Sequence, residues 1–239
     1  MKKNEYTQMA DLEDHHWWFI SKRNFIRVFI TQFLGDGRKK IVDVGAGTGG
    51  ITTLFSEWGK VTAVEKNQLA YEKLLRRKIT AIKGSANVLP LQDTNFDLVA
   101  FCDVLYHKQV DEIKALSEAH RVLKHKGYII VTDCICPWLW SKHDEAMEAK
   151  KRFRKKELEE LIKLSGFKVL RSSNIFCFVF PLFILHRLVK KQIQSENYVD
   201  KVPSVLNAIL KKIMKFEAWA LKHVNLPFGS SVIILAQKS

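Results

Sequence analysis

KKIVDVGAGTGG, Lys39 to Gly50, runs from four residues suited to a buried strand, Ile41 to Val44, straight into glycines. From Thr48 to Trp58 the pattern turns helical, with Ile51, Leu54 and Phe55 on one face. The segment therefore reads as a strand, a tight turn and a helix start. Gly45, Gly47 and Gly49 or Gly50 permit positive φ and a close backbone approach, and the free N–H groups of a helix start face whatever fills the turn. That suits a nucleotide-like ligand. Gly45-x-Gly47-x-x-Gly50 also matches the dinucleotide fingerprint letter for letter, although glycine-rich turns occur with no ligand at all.

Two acids sharpen the reading. Asp43 lies in the strand just before the glycines, where a carboxylate is costly unless it holds loop N–H groups or a ligand cation. Glu65 closes a second strand, Val61 to Val64, about 20 residues on, where an acid accepts both ribose hydroxyls in a doubly wound sheet. A solvated strand end is the plainer alternative for Glu65.

DVGAGTG, VTAVEKN, GSANVLPLQDTNFDLVAFCDVLYH and HRVLKHKGYIIVTD follow one another in an order that resembles the class I S-adenosylmethionine-dependent methyltransferases, specifically the type 11 group. The resemblance covers about residues 15 to 175 and the last strand. It implies one α/β domain with a Rossmann-like, doubly wound sheet of seven strands, mostly parallel with one antiparallel strand. S-adenosylmethionine is then the cofactor. Asp43, Gly45, Ala46, Gly47 and Gly49 would hold its methionine part, Glu65 its ribose, and Lys66, Ser85, Ala86 and Asn87 the adenine side, with Cys102 completing the set. Ser85 stands where the family usually has Asp, which leaves the adenine contact to its neighbours.

At 239 residues, with 47% hydrophobic and 27% charged side chains, the chain can bury a full core and is not a disordered one. Its net charge of +14 favours acidic lipid, nucleic acid or an anionic substrate. Cys102, Cys134, Cys136 and Cys177 sit in apolar runs without a second Cys/His pair at zinc spacing, so buried thiols and no metal site are expected. MKKNEYTQMADLEDHH lacks the apolar core of a signal peptide, and a cytoplasmic protein, with peripheral membrane contact left open, is expected.

Residues 1 to 14 are polar and expected to be loosely ordered. His15-His16-Trp17-Trp18-Phe19 opens a helical pattern through Phe25, Ile26, Phe29, Ile30 and Phe33. Successive helical residues lie about 100° apart, so adjacent tryptophans cannot both face the interior. In relatives such a segment forms a lid; by that resemblance Trp18 packs on the cofactor and Arg23 pairs with its carboxylate. Residues 1–38 are thus an aromatic lid, 39–176 the cofactor-binding core, 177–228 a helical insert and 229–239 the final strand.

Ligands in open α/β sheets bind at the carboxyl ends of strands near the switch point, so Cys102, Asp103, Tyr106 and His107, after the strand Phe96 to Phe101, should border the reacting methyl group. His107 could take a proton from a hydroxyl or amine, and Asp103 could orient or deprotonate the acceptor. A capping or core histidine is the plain alternative.

From Pro137 to Lys156, Trp138 and Trp140 alternate with Lys142, Lys150, Lys151, Arg152, Arg154, Lys155 and Lys156, a mixture suited to nucleic acid, to a membrane edge or simply to solvent. Phe176 to Val189 is almost wholly apolar and followed by Lys190 and Lys191, but too short to span a bilayer. Residues 176–191 are a candidate for peripheral membrane contact or for a substrate pocket, with a buried cap helix as the alternative. Val205 to Leu221 repeats a helical apolar pattern. The insert is expected to cover the active-site side, select the substrate and be dispensable for cofactor binding.

The expected reaction is methyl transfer to a small or amphipathic acceptor, with nucleic acid not favoured. Two other readings stay open. An NAD(P)-dependent oxidoreductase is supported only by the literal glycine fingerprint and opposed by Asp43 and LPLQDTNFDLV; a non-catalytic binding protein on a methyltransferase fold is hinted at by Ser85.

Overall fold

The computed structural model describes residues 3–190 and 202–239. In chain order the elements are α1 (Lys3–Leu12), α2 (Trp17–Phe33), β1 (Lys39–Val44), α3 (Gly50–Phe55), β2 (Gly59–Glu65), α4 (Gln68–Arg76), β3 (Ala81–Lys83) and β4 (Phe96–Cys102). There follow α5 (Glu112–Val122), β5 (Leu123–Cys134), α6 (Lys142–Ala146), α7 (Lys155–Leu164), β6 (Phe167–Ile175), α8 (Phe180–Lys190), α9 (Ser204–Leu221) and β7 (Ser231–Lys238).

The strands form one seven-stranded sheet in the order β3-β2-β1-β4-β5-β7-β6, in which β7 alone runs antiparallel to its neighbours. The order reverses between β1 and β4, so the loops leaving these two strands flank the crevice where doubly wound sheets bind ligands. Central strands covered on both sides must be apolar on both sides. Accordingly Val42, Val44, Val99 and Phe101 pack with α5 and α7, while the alternate residues Ile41, Leu98 and Ala100 pack with α2 and α9. The period of two places Asp43 with Ile41, on the side where α3 begins.

Local chemistry sets the helix starts. Asn67 Oδ1 accepts the N–H of Leu69 at 2.9 Å and opens α4; Asp111 Oδ1 accepts that of Lys114 at 3.1 Å and opens α5. α3 is shorter than the pattern from Thr48 to Trp58 predicts, because Gly49 adopts φ of 96° and delays the first helical residue to Gly50.

Two further expectations are corrected. The N-terminal residues are not loose: Lys3–Leu12 is helical, and the arm is fastened where Glu13 accepts from Gly50 and Thr48. Nor is the insert a detachable cover. Leu210, Met214, Ala218 and Leu221 of α9 join the buried cluster of Phe25 and Phe29, and fully buried Glu217 accepts the N–H groups of Cys177 (3.0 Å) and Phe178 (2.9 Å). Removing it would strip one wall from the core. Lys191 and the side chains of His186 and Arg187 lie outside the described residues.

The basic segment before α7 is largely spent inside the molecule. Lys150 pairs with Glu112 at 2.5 Å, Lys151 with Glu112 and Glu157, and buried Arg152 with Asp144 at 2.8 Å. Among the described residues no helix is long and apolar enough to cross a membrane, and no group of three or more His, Cys, Asp or Glu could hold a metal ion.

Candidate active site

A cavity of about 990 Å³ lies at the switch point, between the loops after β1 and β4 and beneath α1, α2 and α8. That is the upper end of the range for one small-molecule ligand, leaving room for a second beside it.

The glycine loop forms its floor. Gly45 and Gly47 have φ of 69° and 56°. A Cβ on Gly45 would lie 2.7 Å from Val104 Cγ2, and one on Gly47 2.8 Å from Met9 Cε, so neither site tolerates a larger residue unchanged. Glu65, at the end of β2, accepts the Gly47 N–H on one oxygen and the Asn67 N–H on the other, both at 2.8 Å. Burial raises its pKa above the ordinary carboxylate value. Each oxygen keeps a lone pair, as a diol partner requires.

Asp43 is wholly buried. It does not hold the loop N–H groups; the Thr52 hydroxyl of α3 donates to it at 2.6 Å, and burial pushes its pKa to about 7. Gly45 and Ala46 instead donate to the Val64 carbonyl. Across the crevice, Asp103 follows β4 with φ of 60° and accepts an ion-paired hydrogen bond from Lys22, a fully buried lysine on α2. Lys22 Nζ also lies 4.0 Å from the centre of the Trp18 ring. Asp103 Oδ1 and His16 Nε2, both in the cavity wall, are buried without a partner among the described residues. The His107 ring stacks on Tyr106, centroids 4.4 Å apart, and burial lowers its pKa below the ordinary imidazole value.

Asp43, Gly45, Ala46, Gly47, Glu65, Lys66, Ser85, Ala86, Cys102, Asp103, His107, Trp18 and Arg23 all border this cavity. Gly49 and Asn87 do not, contrary to expectation. Gly49 turns toward Ile79 and Leu74 of the neighbouring layer. Asn87 uses its side chain to join two loops, donating to the Gln109 carbonyl and accepting the Asp111 N–H. Trp18 stacks on Phe176, centroids 5.6 Å apart and rings nearly parallel, while Arg23 donates to the Glu13 carbonyl at 2.7 Å. Both thus have partners within the protein while bordering the cavity. Sequence reasoning missed Tyr6, Met9 and Glu13, all in the N-terminal arm, and Lys22. The one available signal for Lys22 was its place one helical turn beyond Trp18.

This cavity fits a nucleoside bearing a charged tail: an acid able to take two hydroxyls, a close-approach glycine turn and unpartnered polar atoms. A family profile described as "Methyltransferase domain" matches residues 42–131. An uncharacterized protein of Methanocaldococcus jannaschii is 30% identical over 170 residues, covering 68% of this chain and 72% of its own length. The chain belongs to the class I S-adenosylmethionine-dependent methyltransferases. An uncharacterized methyltransferase of Schizosaccharomyces pombe is 33% identical over 135 residues, 47% of this chain and 48% of the relative, so the chain matches about half of that protein's length. The crystal structure of an S-adenosylmethionine-dependent methyltransferase from Thermotoga maritima superposes with a TM-score of 0.63 at 21% identity, covering 99% of this chain and 96% of the other. S-adenosylmethionine is the methyltransferase's cofactor, and the nicotinamide alternative is left without support. Glu65 and the Gly45–Gly47 turn, expected at the ribose and at the methionine part respectively, both border the methyltransferase's cavity.

Proposed function

We propose that the enzyme methylates an amphipathic acceptor, one with an apolar body and a nucleophilic head. The make-up of the cavity beyond the glycine loop carries this reading. Trp17, Trp18, Phe183, Leu206 and Leu210 supply apolar lining, while Tyr106, His107, His143 and Glu148 supply polar groups. At about 25 cal/mol per Å², an apolar tail burying roughly 200 Å² against the first group gains about 5 kcal/mol, which a small polar metabolite forgoes.

Bound S-adenosylmethionine supplies a methyl group on a sulfonium, which the nucleophile takes as the carbon–sulfur bond breaks and its electron pair returns to sulfur. An O–H or N–H acceptor must also lose a proton. His107 is suited to receive it, because its lowered pKa keeps the imidazole neutral at pH 7. Asp103 is ion-paired with Lys22, and its unpartnered Oδ1 can accept a hydrogen bond that orients the head group. α1 and the tryptophans of α2 close over the reactants and exclude water, and alignment supplies much of the rate in such transfers.

The test is methyl transfer from labelled cofactor to a series of phenols, amines and carboxylates, each with and without an alkyl or prenyl tail. KM should fall as the tail lengthens. A best acceptor that is small, polar and indifferent to an added tail would overturn the reading.

A further inference from the structure

Helix α9 is apolar on two faces. Its inner face is buried in the core, as described above. Its outer face carries Val205, Ile209, Phe216 and Trp219, at positions i, i+4, i+11 and i+14, which fall on one stripe of a helix. These four side chains are 49 to 71% exposed. The stripe continues as a ladder of rings: Phe178 stacks with Phe216 at 5.8 Å, Phe216 with Trp219 at 5.4 Å, and Trp219 meets His223 edge-on at 5.3 Å. Leu182 and Leu185 of α8 are exposed as well. A monomer rarely presents so much contiguous apolar surface without a use for it.

The charge on this helix has one sign. Lys212 lies within the stripe, and Lys215 and Lys222 flank it on one side. The single acid of α9, Glu217, points inward to the N–H groups of Cys177 and Phe178. Exposed aromatic and aliphatic residues among lysines, on a helix lying along the surface, are the makings of an interfacial helix.

We propose that the outer face of α9 seats the enzyme on an anionic lipid bilayer, the helix lying in the plane of the head groups. This extends the contact from residues 176–191, where Phe178, Leu182 and Leu185 are exposed while Phe176, Cys177, Val179 and Phe180 are buried, onto α9. A second copy of the chain is a poorer occupant: a two-fold contact through this stripe would set the lysines of one helix against those of the other. Head-group phosphates meet them with opposite charge, each lysine near the surface contributing about fivefold in affinity. Leu182 and Leu206 are exposed and also line the cavity, so its apolar wall opens beside this face. That an acceptor enters there from the bilayer rests on the proposed function; the docking itself does not.

The experiment is flotation of the full chain with phosphatidylcholine vesicles containing about a third phosphatidylglycerol, and with pure phosphatidylcholine vesicles, across a salt series. Binding is expected to the anionic vesicles, with blue-shifted tryptophan emission, and to weaken as salt rises. Ile209→Ser/Phe216→Ser/Trp219→Ser should weaken it on the order of a hundredfold, and Lys212→Glu/Lys215→Glu at least tenfold. Thermal melting and S-adenosylhomocysteine titration should match the parent in both variants, separating surface from fold. No binding to anionic vesicles, binding indifferent to both variants, or a dimer in light scattering that the serine variant dissolves would overturn the proposal. None of these readouts involves an acceptor, so failure here leaves the proposed function to its own test.

Discussion

Glu13 accepts the N–H of Gly50 at 3.0 Å, across 37 residues of sequence, and the hydroxyl of Thr48 at 2.8 Å. A carboxylate from the N-terminal arm thus occupies the start of the helix that follows the glycine loop, and Arg77 pairs with its other oxygen at 2.6 Å. This side chain fastens the arm to the glycine loop, beside the Arg23 bond to the Glu13 carbonyl and the Arg77–Asp14 pair.

Glu13→Ala removes the acceptor of two buried donors and should cost about 1 to 3 kcal/mol. Glu13→Gln keeps one oxygen for them and should cost less. Urea unfolding of both variants against the parent measures the difference. Equal stability of the alanine variant and the parent would show that the arm is not fastened there.

What could be read from the sequence, and what could not, follows from how far each signal reaches. The strands are legible because the sheet centre is covered on both faces, so Ile41, Val42 and Val44 and the run Leu98 to Phe101 are apolar on both sides, and Gly45 and Gly47 mark the turn by the φ they need. Glu65 and His107 are legible from their distance to strand ends. Tyr6, Met9 and Glu13 are not, because α1 is mostly polar and the arm is placed by contacts to residues far along the chain. The same limit made α9 look like a cap, since periodicity shows an apolar face but not which of two faces is covered.

Asp43 gives a stability signature in pH. Its pKa in the folded protein, about 7, lies above the ordinary 3.8. Between those values the folded state holds a proton that the unfolded chain has released, so stability falls as pH rises from about 4 to 7, by up to about 4 kcal/mol. Buried Glu13 and Glu65, also raised, act in the same direction. Asp43→Asn should flatten the profile by its own share, read from urea midpoints at intervals of pH. A parallel profile would place the titration elsewhere.

Lys22 and Asp103 form a pair whose members need each other. Lys22→Met leaves a carboxylate in the cavity wall without its cation and should cost about 3 to 5 kcal/mol. Adding Asp103→Asn removes the uncompensated charge and should recover a good part of that. The double-mutant cycle checks this in one set of melts; additive losses would mean that the two side chains do not depend on each other.

Glu65→Gln should weaken S-adenosylmethionine binding roughly 10- to 100-fold and cost about 1 to 3 kcal/mol of stability with the fold retained. The amide can accept on one side only, so either Gly47 or Asn67 loses its partner and one ribose hydroxyl loses a charged acceptor. Calorimetric titration with cofactor and with S-adenosylhomocysteine measures it. Unchanged affinity would move the ribose away from β2.

His107 separates chemistry from binding. With an acceptor that loses a proton, His107→Gln should lower kcat on the order of a hundredfold while cofactor affinity holds, since the amide fills the space beside Tyr106 without accepting a proton. Burial lowers the imidazole pKa, so the base form persists through neutrality and the parent's rate should fall only on the acid side, below about 6.5. That limb should vanish in the variant, which a loss of packing alone would not achieve. If the acid limb persists in His107→Gln, another group takes the proton, and alignment over the Gly45–Gly47 turn is then the main source of the rate.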